Sequence, residues 1–188
     1  NIGIIDVDLL DNGTRHPNLA LMKIGGYLRD RQISYKLHYD NTIDVNQYDY
    51  IYSSKVFTFS KDPVFLDEYN KKGNIIKGGT GYYVEEENSE LFNLLRNKNL
   101  NRLENDPLLP AFSIKHQMPD YHLYDDYIEN EISKGKKEEK FKDYKHFSIG
   151  FLTRGCIRKC PFCVNKNIDN VDNYSNIEDF LDIQFSGI

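Results

Sequence analysis

The sequence predicts an α/β fold with a mostly parallel sheet, because short apolar runs alternate with amphipathic helical segments along its N-terminal half. Parallel strands need crossover connections, and helices usually supply them. The 188 residues, 39% of them hydrophobic, are enough for one domain and part of another. We therefore expect a folded chain rather than a disordered one.

The predicted elements alternate in type along the chain. Continuous or alternating apolar residues predict strands at 2–7, 34–39, 48–52 and 74–77. Apolar residues at helical spacing predict helices at 19–31, 62–72 and 90–96, with Asp62 as the cap of the second. Residues 8–18 are predicted to be a loop.

This order of elements is typical of a Rossmann-like or flavodoxin-like domain with helices on both faces of the sheet, and we assign it to residues 1–112. Residues 113–146 mix aromatic side chains with charges of both signs, which predicts a linker with one helix at 124–133. Tyr121, Tyr124 and Tyr127 recur there at helical spacing and are expected to dock the linker onto a domain.

The C-terminal part, residues 147–188, begins with a predicted strand at 147–152. A loop that contains three cysteines follows this strand directly. A short amphipathic helix is predicted at 177–183.

Charge and hydropathy exclude some classes of function. With 24 basic and 29 acidic residues the net charge is −5, which argues against binding nucleic acid through phosphate neutralisation. No apolar stretch reaches the roughly 18–20 residues that cross a bilayer, and the first residues lack the basic start of a secretion signal. We expect a cytoplasmic protein that does not act on membranes.

All three cysteines of the chain, Cys156, Cys160 and Cys163, have the spacing C-x3-C-x2-C, which lets three thiolates converge on one metal centre. Structural zinc would need a fourth ligand such as His116 or His146. A disulfide would leave one thiol over and needs an oxidising compartment. A 4Fe-4S cluster on three thiolates leaves one iron open to a further ligand.

The segment CIRKCPFC, with Phe162 before its last cysteine, resembles the cluster motif of the radical SAM superfamily. In that family the motif follows the first strand of a partial (βα)6 barrel. The resemblance implies that Cys156, Cys160 and Cys163 each bind one iron of a 4Fe-4S cluster. It implies that the fourth iron binds S-adenosylmethionine, with Phe162 near the adenine. It further implies reductive cleavage of that cofactor to a 5'-deoxyadenosyl radical, with a flavodoxin or ferredoxin as electron donor.

Similarity extends to a bacterial and phage branch of radical SAM enzymes with an N-terminal cobalamin-binding-like domain, through the segments SSKVFTF, IIKGGTGYY, PDYHLY and GFLTRGC. Gly78, Gly79 and Thr80 are candidate cofactor-binding residues, since glycine permits positive φ and close approach of a ligand. A tight turn without a ligand is the alternative. The loop DVDLLDNG lacks the histidine that ligates cobalt in base-off cobalamin domains, so cobalamin stays an open question.

Three loops, 6–18, 53–60 and 78–82, are expected at the carboxyl ends of strands, where open α/β sheets bind ligands. Lys55 and Lys77 lie in or beside these loops, and we expect them to contact water rather than an anion. Arg154 and Arg158 flank the cysteine loop and either offset thiolate charge or face solvent.

Residues 147–188 are too few for a barrel, since six βα units take roughly 190 residues. We expect a fragment that is inactive alone, completed by further sequence or by another polypeptide. The leading hypothesis is a radical SAM iron–sulfur protein of unknown substrate. The alternative is a non-catalytic α/β module that binds a ligand or partner, with empty or zinc-bound cysteines.

Overall fold

The computed structural model of the chain describes residues 1–14, 16–69, 73–82, 103, 105–158, 160, 163 and 170–186. In these ranges the strands are β1 (Ile2–Asp6), β2 (Tyr35–His38), β3 (Tyr50–Ser54), β4 (Ile75–Gly78), β5 (Thr153–Gly155) and β6 (Val171–Asn173). The α-helices are α1 (Val7–Asn12), α2 (Leu19–Asp30), α3 (Val64–Tyr69), α4 (Asp125–Ser133), α5 (Lys142–Lys145) and α6 (Ile183–Ser186). Short 3-10 turns lie at Val45–Gln47, Thr80–Tyr82, Glu138–Phe141 and Ile177–Asp179.

Strands β1 to β4 form one parallel sheet in the order β2-β1-β3-β4. The predicted α/β class with a parallel sheet is therefore confirmed. Because the chain passes from β1 to β2 on one side and returns to β3 on the other, the order reverses between β1 and β3. Open α/β sheets bind ligands beyond the carboxyl ends of the strands at such a switch point.

The sheet buries apolar side chains on both faces. Consecutive residues of a strand point to opposite faces, so Ile4 joins the core cluster of α2 whereas Ile5 joins the cluster that contains Leu66 of α3. Helices thus cover both faces, as a Rossmann-like arrangement requires. None of the helices in the described ranges is both long and apolar enough to cross a membrane.

Helix α2 is the central helix of the larger core. Its N-cap is Asn18, whose side-chain oxygen accepts the N–H of Leu21 at 3.3 Å. All residues from Leu21 to Leu28 are buried, so the helix is covered on every side over two turns. A helix at the surface of a protein buries only one face. A second layer must therefore cover the side that faces away from the sheet.

The segment predicted as a linker supplies that layer. Tyr121, Tyr124 and Tyr127 are buried in the same cluster as β1 and α2, so their predicted docking is confirmed. The N–H of Asp120 donates to the carbonyl of Met22 at 2.8 Å. The aromatic core thus continues past residue 112 into the charged and aromatic segment.

Two predicted elements differ from the structure. The predicted loop 8–18 begins with helix α1, because Asp6 at the end of β1 caps that helix by accepting the N–H of Leu9 at 3.2 Å. The strand predicted at 147–152 is wrong, since those residues form no strand and β5 begins only at Thr153. Their apolar run has no neighbouring parallel strand, and β5 pairs antiparallel with β6 instead.

Two further predictions concern helices. The helix predicted at 177–183 is divided into a 3-10 turn, Ile177–Asp179, and the separate helix α6. The helix predicted at 90–96 lies outside the described residues.

Candidate functional site

The cysteine loop connects β5 to β6. Gly155 at the end of β5 pairs with Val171 at the start of β6, so the two ends of the loop meet. Gly155 has a φ of 109°, and a Cβ there would overlap the carbonyl oxygen of Asn170. Only glycine adopts this backbone without strain while allowing such a close approach. The residue before Cys156 is therefore specified by the closure of the loop.

Cys156, Cys160 and Cys163 are all of intermediate burial, and none of them forms a disulfide. Cys160 and Cys163 share one turn, in which the N–H of Cys163 donates to the carbonyl of Cys160 at 3.0 Å. The N–H of Arg158 donates to Sγ of Cys156 at 3.3 Å. Within the described residues, no three Cys, His, Asp or Glu side chains are grouped to hold a metal ion. The loop thus contains the three predicted ligands, but their sulfur atoms do not lie together around one point.

The donor set nevertheless matches an iron–sulfur cluster in its chemistry, since thiolates are the ligands that such clusters prefer. Metal binding commonly orders the ligands of a site that is not formed in advance. Phe162, predicted near the adenine, lies outside the described residues. Its role stays a prediction.

Arg154 is held by aromatic rings rather than by thiolates. Its guanidinium carbon lies 4.9 Å from the ring centroid of Phe151 and 4.8 Å from that of Tyr174. Such cation–π contacts stabilise an exposed arginine by roughly 0.5–1 kcal/mol. The arginine therefore orders the base of the cysteine loop from the strand side.

The three loops predicted at the carboxyl edge of the sheet do meet. Asp8 accepts the N–H groups of Val56 at 2.7 Å and Phe57 at 3.2 Å, which joins the first loop to the second. The N–H of Lys55 donates to the carbonyl of Gly78 at 3.0 Å, which joins the second loop to the third. This convergence follows from the parallel sheet, since all carboxyl ends lie at one edge.

Two of the three candidate residues Gly78, Gly79 and Thr80 pack against their own chain. Gly79 has a φ of 107°, and a Cβ there would overlap the carbonyl of Lys55. The hydroxyl of Thr80 donates to the carbonyl of Val56 at 2.8 Å. Gly78 is open on its Cα side, with nothing within 4 Å of a Cβ. At Gly79 the close contact that was predicted for a cofactor is instead made by the backbone of loop 53–60. A cofactor-binding role of Gly78, Gly79 and Thr80 stays a prediction.

Sequence reasoning missed an ion-pair cluster at this edge. Asp62 accepts hydrogen bonds from Lys77 at 3.0 Å and Tyr82 at 3.1 Å, and it pairs with Lys55 at 3.2 Å. Burial raises the pKa of Asp62, but the hydrogen bonds from Lys77 and Lys55 outweigh it and hold that pKa below its usual value. The expectation that both lysines contact only water is therefore wrong. The partners of Asp62 lie in separate segments of the chain, so no local pattern could indicate them.

A cavity of about 330 Å³ opens between the loops that follow β1 and β3, at the switch point of the sheet. Its polar lining includes Asp6, Asp8, Thr14, His16 and Asn18, while Val56 and Phe57 contribute apolar surface. A cavity with this position and mixed lining has the general character of a small-molecule site.

Asp6 lies at the bottom of a buried hydrogen-bond network. The hydroxyl of Tyr124 donates to Asp6 Oδ2 at 2.7 Å and accepts the N–H of Asn18 at 3.0 Å. Burial raises the pKa of Asp6 to about 6, although the bonds from Tyr124 and Leu9 oppose this. Burial also raises the pKa of Tyr124, so that hydroxyl keeps its proton and acts as donor.

Comparison of the chain with protein-family models, with curated proteins and with solved structures gives no match in any of the three. The function is therefore inferred from the residues and geometry of the chain itself.

Proposed function

We propose that the chain is an iron–sulfur protein of the radical SAM type. Cys156, Cys160 and Cys163 would hold a 4Fe-4S cluster through three irons, and the fourth iron would bind S-adenosylmethionine. The observation that carries the proposal is that all three cysteines lie partly exposed in one loop whose two ends are joined by a strand pair. Thiolates ligate iron, and partial exposure leaves room for a second cofactor.

The competing thiol chemistries are less well supported. None of the three cysteines, which all lie in the described part of the chain, forms a disulfide. Structural zinc needs a fourth ligand beside the three thiolates. Among the described residues no histidine joins the cysteines in a group of metal ligands. The best-supported function of this loop is therefore to hold an iron–sulfur cluster by three thiolates, with one coordination position left open on the fourth iron.

When bound, the reduced cluster would supply one electron that breaks the C5'–S bond of S-adenosylmethionine, yielding methionine and a 5'-deoxyadenosyl radical. The residues of the chain have simpler tasks. The cysteines are ligands, Gly155 permits the loop to close, and Arg154 between its two rings fixes the strand that leads into the loop.

The incomplete (βα)6 barrel belongs to this proposal as well. In the described residues the cysteine loop follows one strand of an antiparallel pair, β5 and β6. On this proposal the loop after β5 corresponds to the cluster loop that follows the first barrel strand in that family. The substrate and the electron donor, a flavodoxin or ferredoxin, are likewise proposals.

Anaerobic reconstitution with iron and sulfide tests the proposal. We expect about four irons and four sulfides per chain, the content of one such cluster, together with a brown colour and an EPR signal after reduction. Each of Cys156→Ala, Cys160→Ala and Cys163→Ala should lower the iron content, because each removes one ligand.

The matched control is Ile157→Ala, which changes a side chain in the same loop that is 80% exposed. It should leave the iron and sulfide content unchanged. Retention of the cluster by the triple cysteine variant, or zinc without sulfide in the purified protein, would overturn the proposal.

The second candidate is a non-catalytic α/β module. It is favoured by the cavity at the switch point and by the unconverged sulfurs. Zinc without sulfide in the purified chain would support this reading.

A further inference from the structure

We propose that the cavity between the loops after β1 and β3 binds a small organic cation, namely a protonated amine carried on a flat apolar ring. This site lies at the carboxyl edge of the sheet and uses no cysteine. It therefore goes beyond the iron–sulfur function and does not depend on it.

The position of the cavity is the first argument. It lies at the reversal of strand order between β1 and β3, the place where open α/β sheets bind ligands. Its volume of about 330 Å³ suits a small molecule. Two lining residues, Asp6 and Asn18, cap the helices that follow, so helix ends rather than mobile side chains fix part of the wall.

The charge of the wall is the second argument. Asp6 and Asp8 are 1% and 2% exposed, so both carboxyl groups are removed from solvent. Among the described residues, Asp6 accepts from the Tyr124 hydroxyl and from the backbone N–H groups of Leu9 and Asp8, and Asp8 accepts from two backbone N–H groups. Within the described part of the chain these partners are neutral. Because a buried carboxylate without a cation is costly, a cation that enters the cavity gains a strong interaction.

The third argument concerns the flat apolar ring of the ligand. Phe57 lines the cavity while 47% of its surface is exposed. Its ring is stacked on Phe59, with 5.1 Å between centroids and 12° between planes. Such an exposed stacked pair is a platform for a further flat ring. Val56 beside it is also apolar and 42% exposed.

An organic cation suits this wall better than a metal ion. No third carboxylate, histidine or cysteine joins Asp6 and Asp8 in a group that could ligate a metal in the described residues. His16 lines the cavity, but its Nδ1 atom lies 3.0 Å from Asp143. An ammonium group needs only two or three acceptors, and its ring can use the Phe57 side of the cavity.

Tryptamine is a suitable probe, because the chain contains no tryptophan and the indole fluorescence therefore reports only on the ligand. Anisotropy would be measured at pH 8, where Asp6 is ionised, since burial raises its pKa only to about 6. Tryptophol and indole-3-propionate keep the indole ring and replace the ammonium group by a hydroxyl and a carboxylate. We expect tryptamine to bind at least tenfold more tightly than either.

Two variants test the two halves of the site. Asp6→Asn should weaken tryptamine binding at least tenfold, while asparagine still caps α1. Phe57→Ala should weaken all three indole probes, because it removes the stacking surface common to them. Phe57 is half exposed, so this variant is expected to fold even if the change at Asp6 disturbs the core.

The matched control is Asp44→Asn. Asp44 is an exposed N-cap that accepts the N–H of Asn46 at 3.0 Å, so its replacement removes one negative charge outside the cavity. Tryptamine affinity should not change. Equal affinity for the three probes, absence of binding at millimolar tryptamine, or wild-type affinity in both Asp6→Asn and Phe57→Ala would overturn the proposal.

Discussion

Replacing Gly26 by alanine is expected to lower the free energy of unfolding by roughly 3–5 kcal/mol, the range of severe core substitutions. Gly26 lies in α2 directly against the backbone of the aromatic segment, and a Cβ there would overlap the carbonyl oxygen of Met118. That carbonyl cannot easily retreat, because the neighbouring N–H of Asp120 is bonded to Met22 and Tyr27 donates to Pro110 at 2.6 Å. Urea unfolding of the variant measures the effect.

Gly25→Ala is the matched control. It lies in the same helix and gains the same helix propensity, about 1 kcal/mol in favour of alanine. A Cβ at Gly25 would meet its nearest atom, the Cβ of Asp120, at 3.3 Å, which a small shift can accommodate. We expect a change within about 1 kcal/mol. Equal stability of the two variants would contradict the packing of residues 118–120 on α2.

The second large effect concerns the pH dependence of stability, which Asp6→Asn should alter by roughly 2 kcal/mol between pH 4 and pH 8. In the folded chain burial raises the pKa of Asp6 from 3.8 to about 6. The folded state thus binds this proton more tightly than the unfolded state does. Ionised Asp6 lowers stability above pH 6, and the penalty disappears as the pH falls through 6 towards 3.8.

Asparagine takes up no proton, so the variant lacks this dependence. The unfolding free energy of Asp6→Asn minus that of the wild type should therefore be roughly 2 kcal/mol more positive at pH 8 than at pH 4. Urea unfolding at several pH values measures it. Asp8 adds to the raised pKa of Asp6 through its negative charge, and Asp6 in turn raises the pKa of Tyr127 and Tyr144.

Tyr124→Phe checks the assignment in the opposite sense. It removes the hydroxyl that lowers the pKa of Asp6, so that pKa should rise. The pH range over which ionisation of Asp6 lowers the stability of the folded chain should therefore extend to higher pH. A difference between Asp6→Asn and the wild type that stays constant from pH 4 to pH 8 would contradict the burial of an ionisable Asp6.

Local periodicity explains why the sheet and α2 could be predicted from the sequence. Strands β1 to β4 and helix α2 lie within a few residues of the predicted ranges, since each has its own apolar pattern. Tyr121, Tyr124 and Tyr127 likewise have helical spacing that indicated docking. The close packing of the glycine pair of α2 against Met118 and Asp120 could not be predicted, because contacts between segments almost a hundred residues apart leave no local signal.

The remaining differences arise where tertiary contacts override local pattern. The apolar run at 147–152 resembles a strand, but the carbonyls of Phe151 and Leu152 accept from Ser175 and Tyr174 in an irregular extension of the β5–β6 pair. Helix α1 depends on capping by Asp6, a strand residue. At the cysteine loop the sequence predicts the ligands, and on our proposal their convergence would depend on the metal that they bind.

The claim that one iron stays open for S-adenosylmethionine is tested most directly by EPR spectroscopy of the reconstituted and reduced protein, before and after that cofactor is added. We predict a shift of the cluster's g values on addition of S-adenosylmethionine and no signal in the triple cysteine variant. A cluster spectrum that the cofactor leaves unchanged would contradict the account.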